Sequence, residues 1–210
     1  MCESLDDLDA QLKTLDSRLY YFYGDLEESL AKIFEESKPD AVFVNEDYTP
    51  FSVKRDESIA ALCKSKDIAF HSCHDLMLNE KTKILQGNKK FFSQYTPFFM
   101  KAAKQKIPKP ETEAPKNFVN GEELVLKCEY EGNMHEFYVS NPDIEVHGGR
   151  KNGLEVLELF KEQKDYSKTR ILPIVPTTKI SAHVKFGTLS IREVYWKIVD
   201  SFGKNHELIR

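Results

Sequence analysis

Leu5, Leu8, Leu12 and Leu15 recur at spacings of three and four, which places them on one stripe of a helix. Leu19 to Tyr23 is then a short apolar and aromatic run closed by Gly24, and it predicts a strand and a turn. From Asp25 the helical period returns: Leu26, Leu30, Ile33 and Phe34 share a face, while Glu27, Glu28, Glu35 and Glu36 fall elsewhere. Pro39 and Asp40 end that helix. Ala41 to Val44 follows as a continuous apolar run of the kind a parallel sheet buries on both faces. A third helix is predicted from about Val53 to Lys66, then a strand from Ile68 to His71. Helix and strand alternating at this spacing predict parallel α/β layering.

The pattern changes near residue 105. Ile107 to Lys116 contains Pro108, Pro110 and Pro115 among alternating charges and has no periodic apolar face, which is linker composition. Leu124–Leu126 and Phe137–Val139 read as short segments that pair briefly inside a mostly irregular connection. A connection of this length joins domains or is itself functional. After Gly149 the helical period returns, first as Leu154, Leu157 and Phe160, then as Ile191, Val194, Tyr195, Ile198, Val199 and Phe202. The predicted organisation is a layered α/β region over 1–104, a linker over 105–147 and a helical region over 148–210.

Composition narrows the class. The formal net charge is −4, so the chain as a whole is no basic nucleic-acid binder, and any DNA-binding surface must be local. No apolar run approaches the roughly 20 residues that cross a bilayer. The start, Met1 to Asp7, is acidic and lacks the basic and apolar regions of a secretory signal. Cys2, Cys63, Cys73 and Cys128 form no paired framework, which suits a reducing cytoplasm. A soluble cytoplasmic protein is expected.

Candidate chemistry concentrates at Thr177-Thr178-Lys179-Ile180-Ser181, followed by His183-Val184-Lys185-Phe186-Gly187 and Ser190-Ile191-Arg192-Glu193-Val194-Tyr195-Trp196. Hydroxyls and an ammonium group around what reads as a helix start make an anion site plausible on electrostatic grounds. The plainer alternative is that Thr177 or Thr178 is an ordinary N-cap after Pro176. His71, Cys73 and His74 lack the second cluster that a four-ligand zinc site needs, so no metal is expected. Cys63 and Cys73 are read as buried small hydrophobes. Asn45, Glu46 and Asp47, like Arg55 and Asp56, are read as structural pairing. Phe91, Phe92, Phe98 and Phe99 are read as packing around the Thr96-Pro97 turn. There is no Gly-rich dinucleotide fingerprint and no nucleophile elbow.

The order of residues from Thr177 to Trp196 resembles the flavin-cradling stretch of the DNA photolyase/cryptochrome family. Val42 to Pro50, running on to Lys54-Arg55-Asp56, resembles the strand, loop and helix start of that family's antenna domain. Gln94 to Phe98 resembles its Phe-Thr-Pro-Phe segment, and Gly148-Gly149, Leu157, Phe160, Tyr166 and Arg170 resemble the approach to the flavin site. The departures are threonine for serine at 178 and isoleucine for leucine at 180. Nothing corresponds to the family's initial Trp-Phe-Arg strand, and His206 to Arg210 stops short of its Leu-x-Trp-Arg-x-Phe helix. A photolyase truncated at both ends is therefore expected.

The resemblance implies a partial parallel-sheet antenna domain, a long linker and the first helices of an all-α FAD-binding domain. It implies contact of FAD with Tyr166, Thr177, Thr178, Lys179, Ile180 and Ser181, and places Arg170 near the DNA-facing rim. Lys168, Lys179, Lys185 and Arg192 are further candidate phosphate neighbours, each taken singly read first as a solvated surface charge. The implied activity of an intact relative is that of a carbon–carbon lyase, a monomeric deoxyribodipyrimidine photolyase that uses reduced FAD and light to split pyrimidine dimers in damaged DNA. No side chain is assigned as the catalyst, because the flavin carries that chemistry. Phe51 and Ser52 stand where folate-antenna members have a polar pair, so a deazaflavin antenna or none is implied as readily as a folate. The alternatives are a cryptochrome-like blue-light photoreceptor and a non-catalytic gene remnant.

Overall fold

The computed structural model describes residues 1–88, 90–111 and 113–209. The chain forms two compact units, each assembled from two stretches: Met1–Cys73 with Glu113–Gly149, and His74–Thr112 with Arg150–Arg210.

In the first unit the elements are α1 (Cys2–Lys13), α2 (Leu26–Ser37), β1 (Ala41–Asn45), α3 (Pro50–Ser65) and β2 (Ala69–Cys73). Asp25 fixes the start of α2 by accepting from the Glu27 and Glu28 backbone N–H groups, and Thr49 does the same for α3 through Ser52. β1 and β2 pair in parallel, with Val42 beside Phe70 and Phe43 beside His71. Strand alternation then sorts the two faces. Val42 and Phe70 pack with Ile68, Leu30, Ile33 and Leu62 against a buried centre of Phe34, Ile59 and Cys63.

The opposite face is open, which corrects the expectation that β1 is buried on both sides. Phe43 is 69% exposed and stacks on His71 at 4.6 Å. Cys73, on that same face, is exposed rather than buried, whereas Cys63 is fully buried. Arg55 pairs with Asp56 at 2.6 Å, and Asp47 accepts from the Tyr48 and Thr49 N–H groups and the Ser52 hydroxyl, as structural pairing requires.

Leu19–Tyr23 forms no strand. Its partners come from 113–149, and that segment is irregular too: Leu124–Leu126 and Phe137–Val139 do not pair as strands either. The contact is made by individual bonds. The Tyr130 N–H donates to the Tyr21 carbonyl at 2.7 Å, the Tyr20 hydroxyl to the Leu124 carbonyl at 3.1 Å, and Arg18 grips Glu129 through two 2.6 Å bonds. Tyr23 stacks on Phe137 at 5.4 Å. Gly148 and Gly149 fit closely against α1: a Cβ on Gly148 would lie 2.9 Å from the Ser4 backbone nitrogen, and Gly149 has φ +97°.

The second unit contains α4 (Tyr95–Ala102), α5 (Arg150–Glu158), the short α6 (Tyr166–Thr169) and α7 (Ser181–Lys185), and α8 (Ile191–Phe202), with a 3₁₀ segment at Leu159–Asp165. Its core is Leu157, Phe160, Leu189, Val194 and Ile198, joined by Ile180, Val184 and Phe202. Removing each such side chain from water contributes roughly 1.5–3 kcal/mol. Leu154, on the same apolar stripe as Leu157 and Phe160, is 42% exposed. Among the described residues no helix is long and apolar enough to cross a membrane.

Candidate functional site

The helix start expected around Thr177–Ser181 falls at the last residue of that stretch. α7 starts at Ser181, Ile180 occupies the N-cap position in a right-handed conformation, and no side chain caps it. The threonines are therefore not capping residues, which removes the plainer alternative for them. Thr177 and Ser181 are exposed, and Thr178, Lys179 and Ile180 are half-buried. Ile180 packs inward on the core of Leu157, Phe160 and Leu189, which fixes the stretch from below.

Lys179 has φ +50°. A left-handed conformation costs an L-residue with a long side chain about 1–2 kcal/mol. The other such non-glycine residues, Asp16, Lys38 and Asp67, each follow the end of a helix, where this conformation is routine. Lys179 instead precedes one. The hydroxyls of Thr177, Thr178 and Ser181 make no hydrogen bond among the described residues. Three short alcohols and an ammonium group on a half-exposed, core-anchored stretch form a donor set suited to phosphate oxygens. Such residues fit the diphosphate of a flavin dinucleotide.

Tyr166 is the first residue of α6 and is half-buried; Arg170 is its C-cap. Arg170 pairs with Glu207 at 3.4 Å and keeps about half its side chain exposed. None of the hydrogen bonds or ion pairs of Tyr166 and Arg170 reaches Thr177–Ser181. Lys168 pairs with Asp165 at 3.2 Å. Arg192 is committed to structure: it pairs with Asp75 and donates to the His74 carbonyl at 2.7 Å.

Behind the stretch, His183 is 2% exposed. Its Nδ1 meets the Thr188 hydroxyl at 2.9 Å, while Nε2 is buried without a partner. Burial lowers its pKa from the usual imidazole value. Phe51 is exposed, and the buried Ser52 spends its hydroxyl on Asp47 and Thr49. Among the described residues no group of three or more His, Cys, Asp or Glu side chains is placed to hold a metal ion.

Reading the residues alone missed Asn79, whose buried amide oxygen has no partner, and took Phe92, Phe98 and Phe99 for simple turn packing. These rings line a cavity. The signal available in the sequence was the density of aromatics between Phe91 and Phe99.

The DNA photolyase profile matches residues 1–116. The chain is 28% identical to Cryptochrome-1 of Aedes aegypti over 97% of its length, covering 42% of that relative. It is 24% identical to the deoxyribodipyrimidine photo-lyase of Alkalihalophilus pseudofirmus, covering 90% of this chain and 41% of the relative. The crystal structure of the archaeal photolyase of Sulfolobus tokodaii, which contains two FAD molecules, is similar at a TM-score of 0.70 and 28% identity, over 98% of this chain and 43% of that one. The chain thus spans about two fifths of the length of the curated relatives it matches. A profile match over more than half of the residues, with photolyases and cryptochromes as relatives, establishes that the chain belongs to the DNA photolyase family.

Proposed function

We infer that this chain is the flavin-diphosphate-gripping part of a light-driven DNA-repair lyase acting on cyclobutane pyrimidine dimers, and that its 210 residues alone bind FAD only weakly and do not repair. The observation that carries the reading is Lys179, held in a left-handed conformation ahead of a helix rather than behind one, between hydroxyls that have no protein partner among the described residues. Strain of this kind concentrates at ligand clamps. In this reading the hydroxyls of Thr177, Thr178 and Ser181 donate to diphosphate oxygens, Lys179 neutralises their charge, and Ile180 anchors the stretch to the core. Tyr166 flanks the cofactor. Arg170 exchanges its long pairing with Glu207 for a DNA phosphate, a sequence-independent contact.

Reduced FAD, when bound, supplies the electron that splits the dimer. The residues hold and orient it, as protein groups do around cofactors in general. The reading keeps 1–104 as the antenna-type region, 105–147 as the connection and 148–210 as the start of the flavin-binding region. It takes a monomer in a reducing cytoplasm, where four free cysteines persist. With Ser52 already hydrogen-bonded, a deazaflavin antenna or none fits better than a folate. Weak binding follows from apolar surface left uncovered in the helical unit: Ile171, Ile174, Leu159 and Phe186 are all exposed.

A blue-light photoreceptor is the second reading, favoured by the 28% identity to a cryptochrome. An absorbance spectrum of the purified chain, with a dimer-splitting assay under blue light, tests the account. No stoichiometric yellow chromophore and no splitting are expected. A one-to-one flavin with light-dependent splitting contradicts the weak-binding account, and one-to-one flavin without splitting moves the assignment to the photoreceptor.

A further inference from the structure

The two units carry opposite charge. Met1–Cys73 with Glu113–Gly149 holds 24 acidic against 10 basic residues, whereas His74–Thr112 with Arg150–Arg210 holds 10 acidic against 20 basic. The acidic unit repels polyanions and attracts cationic partners. Its excess is steep from Glu122 to Glu145, which has seven acidic residues and one lysine.

Tyr130 and Phe137 belong to that segment, and Tyr23 joins them in an exposed aromatic patch. Tyr23 is 72% exposed and Phe137 56%. Their rings stack at 5.4 Å, and Tyr130 tilts onto Tyr23 at 5.5 Å and onto Phe137 at 5.8 Å. Rings packed this closely leave no gap for a guest between them, so recognition falls to their outer faces. The patch is held in place. A Cβ on Gly132 would run into the Tyr130 ring, and the Tyr130 hydroxyl donates to Glu136 Oε2 at 3.5 Å. Glu136 is fixed in turn by a capping box with Asn133, whose N–H donates to Glu136 Oε1 at 3.1 Å. Glu131, beside Tyr130 in the chain, is exposed and makes no hydrogen bond or ion pair among the described residues.

The same unit shows in its own packing what such a surface takes. Arg18 lies 4.1 Å over the Tyr20 ring, while its two Nη groups meet the Glu129 carboxylate at 2.6 Å each. A guanidinium stacks on a ring and pairs with a carboxylate at once, and a lysine ammonium lacks the planar fork for it.

We propose that Tyr23, Tyr130 and Phe137, with Glu131 and Glu136, form a docking surface for an arginine-bearing basic segment of a partner protein. The rings take the guanidinium faces and the carboxylates take the N–H groups. Tyr166, Arg170 and Thr177–Ser181 have no part in it, so this proposal and the flavin reading fail separately.

Three labelled peptides in which glycine alternates with arginine, lysine or citrulline test it, citrulline keeping the shape of arginine without its charge. Fluorescence anisotropy with the full chain is expected to show saturable binding of the arginine peptide, about two- to fivefold tighter than the lysine peptide, and none of the citrulline one. Nitrogen–proton shifts gather at the Tyr23, Tyr130 and Phe137 amides. Tyr23→Ala and Phe137→Ala, both at exposed positions, abolish the margin over lysine. Should either variant fail to fold by circular dichroism, Glu131→Gln, which breaks no pairing, weakens the arginine peptide by about twofold in its place. Equal affinity for the arginine and lysine peptides overturns the proposal, as does a margin or affinity unchanged in the folded variants. Shifts that gather elsewhere in the chain overturn it as well. So does oligothymidylate bound at these three rings, because the patch would then stack nucleic-acid bases.

Discussion

Arg150 and Glu193 meet as two parallel charge-assisted hydrogen bonds, with Arg150 Nη1 donating to Glu193 Oε2 at 2.7 Å and Nη2 to Oε1 at 2.6 Å. The pair ties the start of α5 to the start of α8. Glu193 also closes a capping box with Ser190, and Arg150 reaches the Thr188 carbonyl at 3.0 Å. One carboxylate thus serves a helix cap and a helix–helix tie at once.

Replacing Glu193 with Gln keeps the shape and part of the cap but loses the charge pairing. A loss of about 1–2 kcal/mol in urea-induced unfolding is expected, larger than an exposed surface pair gives. Arg150, hydrogen-bonded to Glu193, holds the Glu193 carboxyl below the usual glutamate pKa. A lowered folded-state pKa means that the contribution is complete above the unfolded value of 4.5 and is lost as pH falls through the folded one. Glu193→Gln should therefore flatten the stability profile below about pH 4.5. A profile parallel to the wild type refutes the assignment.

Burial lowers the pKa of His183, whose Nε2 has no partner. Its contribution is complete above the unfolded value of 6.5 and falls as pH drops below it, by at most about 1.4 kcal/mol per pH unit. Unfolding curves at pH 7.5 and 5.5 should show a smaller loss for His183→Leu than for the wild type.

Gly153 lies in α5 beside this histidine, and an added Cβ would meet His183 Nδ1 at 3.0 Å and Leu189 Cγ at 3.1 Å. Helix propensity alone would make Gly153→Ala stabilising by about 1 kcal/mol. The close approach reverses the sign, and a net loss of about 1–2 kcal/mol is expected. A stabilised variant shows that the neighbours give way.

The apolar stripe running from α5 into the 3₁₀ segment separates buried from exposed members. Phe160→Ala should cost about 3–5 kcal/mol, since the ring is 1% exposed at the centre of the core. Leu154→Ala, at 42% exposure, should cost under about 1 kcal/mol. Thermal unfolding of the two variants side by side checks the contrast.

Elements with a local cause were legible in the sequence. Asp25 and Thr49 announce α2 and α3 through their own caps, and the apolar stripe from Ile191 to Phe202 coincides with α8. What depended on distant partners was not. Leu19–Tyr23 has strand composition, yet its bonds go to Leu124 and Tyr130, in a segment that forms no strand. Phe43 and Cys73 read as interior, but only one face of the two-stranded sheet is covered by α2 and α3. At the candidate site the residue types were readable, whereas the conformation of Lys179 and the late start of α7 were not. Hydroxyl-rich composition ahead of a helix predicts a cap, whereas the N-cap position is taken by Ile180, which packs on the core.

The most direct test of the diphosphate grip is a nitrogen–proton shift titration of the full chain with FAD, beside riboflavin, which has the same ring system and no phosphate. The account predicts weak, saturable shifts at the Thr177–Ser181 amides with FAD alone, reduced about threefold to tenfold in affinity by Lys179→Gln. Equal shifts with riboflavin, or FAD shifts that leave residues 177–181 unmoved, would contradict it.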